Sequence, residues 1–159
     1  DFRRIGLVRN PTNFGTTTVA SADTRRQLFA AIFSSVSGTF TADEEINQAS
    51  TGAVGKVVEF DSTNKILYFY QTRFPDCGTD SNGNLTAFSG ANAITGQSSS
   101  ASATPDTSNS TTTNGTVFVS GYSNPELAFD SGDIIYVEER SPITRASDQT
   151  ENIKLIIEF

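Results

Sequence analysis

Two pairs of neighbouring carboxylates are the first candidates for chemistry in this sequence. They are Glu44-Glu45 and Glu138-Glu139. A glycosidase needs two carboxyl groups roughly 5–10 Å apart across a cleft, whereas neighbouring residues on a strand point to opposite faces. We therefore expect ordinary solvated charges at both places. A hydrolase would require two carboxylates that face each other across a cleft, with one of them clearly buried.

The usual partners of a catalytic nucleophile are missing from the sequence. It contains no His, the residue that most often serves as general base and as metal ligand. Cys77 is the single cysteine, so neither Cys–His activation nor an internal disulfide can form. The sequence therefore predicts no catalytic residue, no cofactor and no metal, and we expect that the protein is not an enzyme.

One short pattern imitates a calcium loop. Asp80, Asn82 and Asn84 alternate as calcium ligands do, but the glycine falls at Gly83 and no Glu closes the loop. Asn82-Gly83 is instead a strong signal for a hairpin turn. The pattern therefore predicts a turn.

Composition argues against two classes of partner. The net charge is −7 over 159 residues, which disfavours nucleic acid because sequence-independent binding needs a basic face. No apolar run approaches the length of a membrane span, so we expect no membrane partner. The sequence lacks Met, and we expect Asp1 to be a cut end of a longer protein.

The elements that would position these residues are β-strands. Val54–Phe60 and Lys65–Thr72 are rich in β-branched and aromatic residues, and Asp61–Asn64 between them supplies the residues of a hairpin turn. Alternation places Val58 and Phe60 on one face. The second strand is apolar on both sides, so we expect it to be covered on both.

Three further segments carry weaker signals. Residues 24–35 fit either a helix or a strand, and we favour a strand because the following sequence is strongly β. A last pair of short strands is expected to end near Ile94. From Gln97 to Thr116 the apolar content falls to a few alanines, so this segment cannot build a core. We expect a long exposed loop that rests on its own sheet or on another chain.

The last segment, Ser131–Phe159, reads as two strands around a charged connection. Ile134–Val137 is apolar on both faces. Further on, Ile153, Leu155, Ile157 and Phe159 alternate with polar residues, which is typical of a strand over a core.

Both ends of the chain resemble one family. "DFRRIGLVRNP" at the start and "NPELAFDSGDIIYVEERSPITRASDQTENIKLIIEF" at the end are similar to the C-terminal portion of the gene-product-eight family, which are baseplate wedge proteins of T-even-like, contractile-tailed bacteriophages. The resemblance implies a structural virion protein without catalysis. It also implies layered β-sheets, contacts with other wedge subunits and a homodimer.

The resulting fold prediction is mainly β. It comprises a layered β-sandwich core formed by both chain ends, with an inserted small β-barrel or sandwich. We assign residues 1–12 and 119–159 to the wedge-protein-like core, 13–96 to the inserted domain and 97–118 to a Ser/Thr-rich exposed loop. We also predict that residues 1–11 pair in one sheet with strands from 132–159.

The predicted function is that of a non-enzymatic structural protein of a phage tail baseplate, acting as a subunit-docking module in the wedge. Its place would be the virion, with assembly in the host cytoplasm and other wedge subunits as partners. The candidate contact rim consists of Glu138, Glu139, Arg140, Arg145, Asp148 and Glu151.

The alternative function is a carbohydrate-binding or host-attachment β domain of a phage tail. The aromatic residues Tyr68, Phe69 and Tyr70, together with the Ser/Thr-rich loop, would then bind a glycan. Exposure decides between the two, because side-by-side tyrosines on an open face favour glycan binding and tyrosines packed against Ile66 and Val58 disfavour it.

Overall fold

The computed structural model describes residues 3–21, 26–71, 78–128 and 131–140. The chain divides into two compact units, unit 1 formed by residues 1–10 and 132–159 and unit 2 by residues 11–131. Every regular element in the described ranges is a β-strand, so the prediction of a mainly β protein is confirmed. Within those ranges, no helix is long and apolar enough to cross a membrane.

Most of the strands are short. In chain order they are β1 (Arg3–Arg9), β2 (Phe29–Ile32), β3 (Glu45–Gln48), β4 (Ala53–Asp61), β5 (Ile66–Tyr70), β6 (Ile94–Gly96), β7 (Ser102–Ala103), β8 (Thr112–Thr113), β9 (Thr116–Val117), β10 (Tyr122–Ser123) and β11 (Asp133–Arg140). Strands β1 and β11 belong to unit 1, and the other strands belong to unit 2.

Unit 2 is built on a seven-stranded antiparallel sheet with the order β10-β2-β5-β4-β3-β6-β7. Beyond β2 the chain continues to the far edge of this sheet. There the backbones of Ser37 and Ser102 exchange two hydrogen bonds of 2.9 Å, and Phe33 forms a bridge with Pro105. Strand β7 therefore has a backbone partner on both sides at Ser102. The predicted small barrel stays a prediction.

The sheet is buried on both faces, because β2 and β5 direct apolar side chains to both sides. One face contributes Ala31, Leu67 and Phe69 to the larger apolar cluster. The buried members of the smaller cluster on the other face are Ala30, Ile32, Ile66 and Phe118. The prediction that the second strand of the β4–β5 hairpin is covered on both sides is therefore confirmed.

The β4–β5 hairpin has the turn chemistry that its sequence predicts. Oδ1 of Asp61 accepts the backbone N–H groups of Thr63 and Asn64 at 3.0 Å each. The ladder shifts register between Val57 and Glu59, so Val58 lies in a bulge, and the predicted shared face of Val58 and Phe60 stays a prediction. This bulge leaves Val58 40% exposed and returns Phe60 to the cluster that contains Val57.

The strand interpretation of residues 24–35 is confirmed over Phe29–Ile32, and residues 22–25 lie outside the described part of the chain. The Asn82-Gly83 turn is also confirmed, since the N–H of Gly83 donates to the carbonyl of Asp80 at 3.0 Å. The predicted end of a strand near Ile94 is wrong, because β6 begins there.

Part of Gln97–Thr116, the segment that we predict to be a long exposed loop, is buried instead. Ala101 is fully buried and Ala103 is 5% exposed, and both belong to the larger apolar cluster. The physical reason is close backbone packing. A Cβ built on Gly38 would lie 3.2 Å from the Cα of Ala101. The backbones at positions 38 and 101 are therefore too close for large side chains between them.

In unit 1, β1 pairs antiparallel with β11 from Arg3↔Arg140 to Arg9↔Asp133. The predicted pairing of the two chain ends is therefore confirmed for these strands. Residues 119–131, which we assigned to the core formed by the chain ends, lie in unit 2 instead, because β10 pairs with β2. The division into a family core and an inserted domain stays a prediction.

Candidate functional site

The candidate site is the two-stranded sheet formed by β1 and β11, which we call the terminal ribbon. Residues directly opposite each other in an antiparallel pair lie on the same face. Leu7 pairs with Tyr136 and Val8 pairs with Ile134, with a register shift between Leu7 and Val8. The shift leaves Ile135 without a cross-strand partner in the register, so it marks a bulge in β11.

Both faces of the terminal ribbon are apolar and exposed. One face presents Ile5, Leu7 and Tyr136, and the other presents Val8, Ile134 and Val137. The exposed fractions are Ile5 50%, Leu7 53%, Val8 50%, Ile134 70%, Ile135 58%, Tyr136 47% and Val137 62%. The sequence shows the apolar run on β11, but it does not reveal that this run is uncovered.

Arg9, the last residue of β1, and Asp133, the first residue of β11, carry opposite charges. Nη2 of Arg9 and Oδ2 of Asp133 form an ion pair of 3.5 Å, with both side chains about two-thirds exposed (64% and 66%). Exposed pairs of this kind contribute little stability. We therefore expect the pair to add little to the stability of the ribbon.

The predicted contact rim lies only partly in the described residues. Glu138 and Glu139 occupy successive positions of β11, opposite Ile5 and Arg4, and therefore point to opposite faces of the ribbon. Arg140 ends the strand, opposite Arg3. The remaining rim residues, Arg145, Asp148 and Glu151, lie outside the described residues.

Glu44 and Glu45 lie in different environments, so the expected solvated charge is found at Glu45 but not at Glu44. Glu44 is 5% exposed, whereas Glu45 is exposed on β3. The Glu44 carboxylate accepts hydrogen bonds from the backbone N–H of Thr41 (2.7 Å), Ser98 (3.2 Å) and Ser99 (2.9 Å) and from the hydroxyl of Ser99 (2.8 Å). It therefore holds the loop after β6.

Burial and hydrogen bonding act on Glu44 in opposite directions. Burial raises the pKa of its carboxyl, but the hydrogen bonds from Ser99, Thr41 and Ser98 together outweigh burial, and the net pKa is lowered. A general acid needs the reverse, a carboxyl that keeps its proton near neutral pH. Glu44 is thus suited to a structural role.

The loop that imitates a calcium site is a turn stabilised by its own aspartate. Oδ1 of Asp80 accepts the backbone N–H groups of Asn82 and Asn84 at 2.9 Å each, and these bonds lower the pKa of Asp80. Among the described residues, no group of three His, Cys, Asp or Glu could hold a metal ion.

The aromatic set of the alternative function does not form an open surface. Phe69 is 1% exposed. Tyr68 packs against the smaller apolar cluster, and its hydroxyl lies 3.1 Å from Oγ1 of Thr116. Tyr70 is half-buried. The prediction that these three residues form a glycan-binding surface is therefore wrong, since Tyr68 packs in the cluster that contains Ile66.

One comparison with known proteins gives a match. A family model described as Bacteriophage T4, Gp8 matches residues 74–159, which is more than half of the 159-residue chain. The match includes the C-terminal segment that carries the resemblance, residues 124–159, but not the N-terminal one, residues 1–11. It also includes residues 74–118, which we assign to the inserted domain and the loop. No curated protein and no solved structure matches the chain.

Proposed function

This chain belongs to the bacteriophage T4 Gp8 family of baseplate proteins, and on that premise we propose that it is a non-enzymatic docking module of the baseplate wedge. Membership gives it a structural role in the tail baseplate of the virion and contacts with other baseplate subunits. The docking role, the absence of catalysis and assembly in the host cytoplasm are parts of the proposal.

The family match is the observation that carries the proposal. The chemistry of the candidate sites agrees with it, since Glu44 is held by four hydrogen bonds and Asp80 stabilises a turn. Both carboxyl groups have lowered pKa values, whereas a carboxyl pKa that is shifted toward neutral pH is the usual sign of acid–base catalysis.

We propose that the charged rim selects the wedge partner. Charges at the edge of an interface determine association rate and partner choice more than affinity. Glu138 and Glu139 directly precede Arg140, the last residue of β11, and the sequence continues the rim to Glu151. A homodimer, which the family resemblance implies, stays a prediction that sedimentation velocity of the purified chain would test.

The test of the docking role is charge reversal at the rim. The double substitution Glu138→Lys and Glu139→Lys should reduce incorporation into wedges when the chain is co-expressed with the other wedge subunits and the complexes are separated by sedimentation. The matched control is Glu45→Lys with Glu59→Lys, which makes the same charge change at two exposed positions of unit 2. Equal incorporation of both variants and the wild type would contradict the proposed rim.

A further inference from the structure

We propose that Asn114 is a site of spontaneous deamidation in the folded protein, and that Asn82 is protected from the same reaction. Each of these residues is exposed and is followed by a glycine. In an Asn-Gly pair the backbone nitrogen of the glycine reaches the side-chain amide easily, because glycine has no Cβ to obstruct the approach. The sequence treats the two pairs alike, whereas the structure separates them. The inference is independent of the proposed docking function.

The reaction at Asn114 needs no reagent other than water. The backbone nitrogen of Gly115 forms a bond to Cγ of Asn114, the bond from Cγ to Nδ2 breaks, and ammonia leaves with the proton of the attacking N–H group. Water then opens the resulting succinimide ring at one of its two carbonyl groups. The products are aspartate and isoaspartate, and either one replaces a neutral amide by a carboxylate.

The attacking nitrogen is engaged in one pair and available in the other. The N–H of Gly83 donates to the carbonyl of Asp80 at 3.0 Å, and this hydrogen bond must break before the nitrogen attacks Asn82. Among the described residues, the N–H of Gly115 has no hydrogen-bond acceptor. Attack on Asn114 therefore begins without the loss of a hydrogen bond at the nucleophile.

The turn around Asn82 also resists the backbone rotation that ring closure requires. Oδ1 of Asp80 accepts the N–H groups of Asn82 and Asn84 at 2.9 Å each. The N–H of Asp80 donates to the carbonyl of Asn84 at 2.8 Å. Rotation at Asn82 would disturb several of these bonds together, so the turn holds the amide away from the nitrogen of Gly83.

Asn114 lies at the tip of a short hairpin. Strands β8 and β9 have two residues each, and the φ angles of Asn114 (48°) and Gly115 (73°) are both positive, as in the two-residue turn that Asn-Gly favours. Ring closure requires Asn114 to leave this conformation. So short a ladder is weak by itself, and an exposed tip opens locally at a small cost in free energy.

The modification would change a contact between two hairpin tips. Nδ2 of Asn114 donates to Oδ2 of Asp61 at 3.4 Å, and Asp61 stabilises the turn between β4 and β5. After deamidation a carboxylate oxygen stands in place of this donor, and two negative charges face each other. The contact between the β8–β9 tip and the β4–β5 turn therefore becomes repulsive.

The experiment compares the two sites within one chain. The full chain is incubated in mildly alkaline buffer, samples are digested at intervals, and mass spectrometry measures the deamidated fraction of the peptides that contain Asn82 and Asn114. The matched control is the same chain unfolded in guanidinium chloride, where neither turn exists. Both Asn-Gly pairs should react at similar rates in the unfolded chain.

In the folded chain we expect Asn114 to react about fivefold or more faster than Asn82, a factor that corresponds to one hydrogen bond of typical net strength. An equal rate at the two sites, or a faster rate at Asn82, would overturn the inference. It would be overturned equally if Asn114 stayed intact in the folded chain while it reacted in the unfolded one.

Two variants give a second measurement that does not depend on peptide analysis. Asn114→Gly removes the amide and tolerates the positive φ of this position, and Asn82→Gly makes the same change at the other turn. Ion-exchange chromatography of aged protein separates the more acidic product. The early acidic form should disappear in Asn114→Gly and persist in Asn82→Gly, and the reverse pattern would contradict the assignment.

Discussion

Glu44 is a buried carboxylate whose hydrogen bonds outweigh the effect of burial on its pKa. Among the described residues, its hydrogen-bond partners are backbone and hydroxyl groups of Thr41, Ser98 and Ser99, and none of these is a cation. Hydrogen bonds from several backbone N–H groups can keep a buried carboxylate ionised without a counter-ion. Gly96 makes room for this arrangement, because a Cβ there would lie 2.6 Å from Oε2 of Glu44.

We expect Glu44→Gln to lower the free energy of unfolding by about 2–3 kcal/mol at pH 7. The amide has one acceptor oxygen, and its NH2 group would face at least one of the N–H donors that the carboxylate now accepts. Urea unfolding measures the loss. Glu45→Gln, at the exposed neighbouring position, should change the free energy of unfolding by less than about 0.5 kcal/mol. A smaller effect at position 44 than at position 45 would refute the structural role of Glu44.

Stability should also depend on acid pH. The pKa of Glu44 is lowered from its usual value of 4.5, so its contribution is present above that value and is lost as the pH falls through the lowered pKa. The pKa values of Asp61 and Asp80 are lowered too, and they act in the same direction. Urea unfolding between pH 7 and pH 2 should therefore show a decline that starts below about pH 4.5.

The variant Glu44→Gln separates the contribution of Glu44 from those of the aspartates. Its difference in stability from the wild type should be full at pH 7 and should narrow as Glu44 of the wild type becomes protonated. A difference that stays constant down to pH 2 would mean that the charge of Glu44 contributes nothing to folding.

At the scale of elements, the segment that covers the smaller apolar cluster alternates strictly. Thr116 and Phe118 are buried at 4% and 1% exposure, while Val117 and Val119 are exposed at 61% and 69%. Phe118 packs with Ile66 and its neighbours in that cluster. This segment therefore closes one face of the seven-stranded sheet through alternate side chains only.

We expect Phe118→Ala to destabilise unit 2 by about 3–5 kcal/mol, the range for a large aromatic side chain removed from a core. The adjacent substitution Val117→Ala removes an exposed side chain and should cost less than about 0.5 kcal/mol. Urea unfolding of the two variants makes the comparison. Similar costs at both positions would mean that the segment does not form the cover that the structure places there.

The elements that local chemistry defines could be predicted, and those that distant contacts define could not. The β4–β5 hairpin follows from its β-branched runs and from Asp61 at the turn. No local sequence pattern indicates the bulge at Val58. The bulge moves the side chains of the residues that follow to the opposite face of the strand. Ala101 is buried because the backbone of Gly38 comes close, a contact that low apolar content in a segment cannot reveal.

The same limit applies to the candidate sites. The apolar run Ile134–Val137 predicts a strand, but its exposure depends on what packs against it, which alternation does not encode. Glu44 reads as a surface charge, because its donors Ser98 and Ser99 are 54 and 55 residues away in sequence. The chain ends were placed together by family resemblance and by strand patterning, and β1 pairs with β11 as expected.

At the scale of the whole molecule, the buried core and the terminal ribbon belong to different units. All buried hydrophobic residues of the described ranges lie between Ala30 and Phe118, within unit 2. The points where the chain enters and leaves this unit are adjacent, because the N–H of Thr12 donates to Oγ of Ser131 at 2.9 Å and the N–H of Ala128 donates to the carbonyl of Thr12 at 2.9 Å.

We therefore expect a shortened chain of residues 11–131 to fold by itself, with a single cooperative urea transition close in midpoint to that of the full chain. Its core is complete, and its ends are tied by the bonds of Thr12. Circular dichroism and Tyr fluorescence should report the same transition if folding is two-state. A control chain that also lacks residues 11–28 would lose the hydrogen bonds of Thr12, and the midpoint of its urea transition should be lower. Loss of cooperativity in residues 11–131 would show that unit 2 depends on the chain ends.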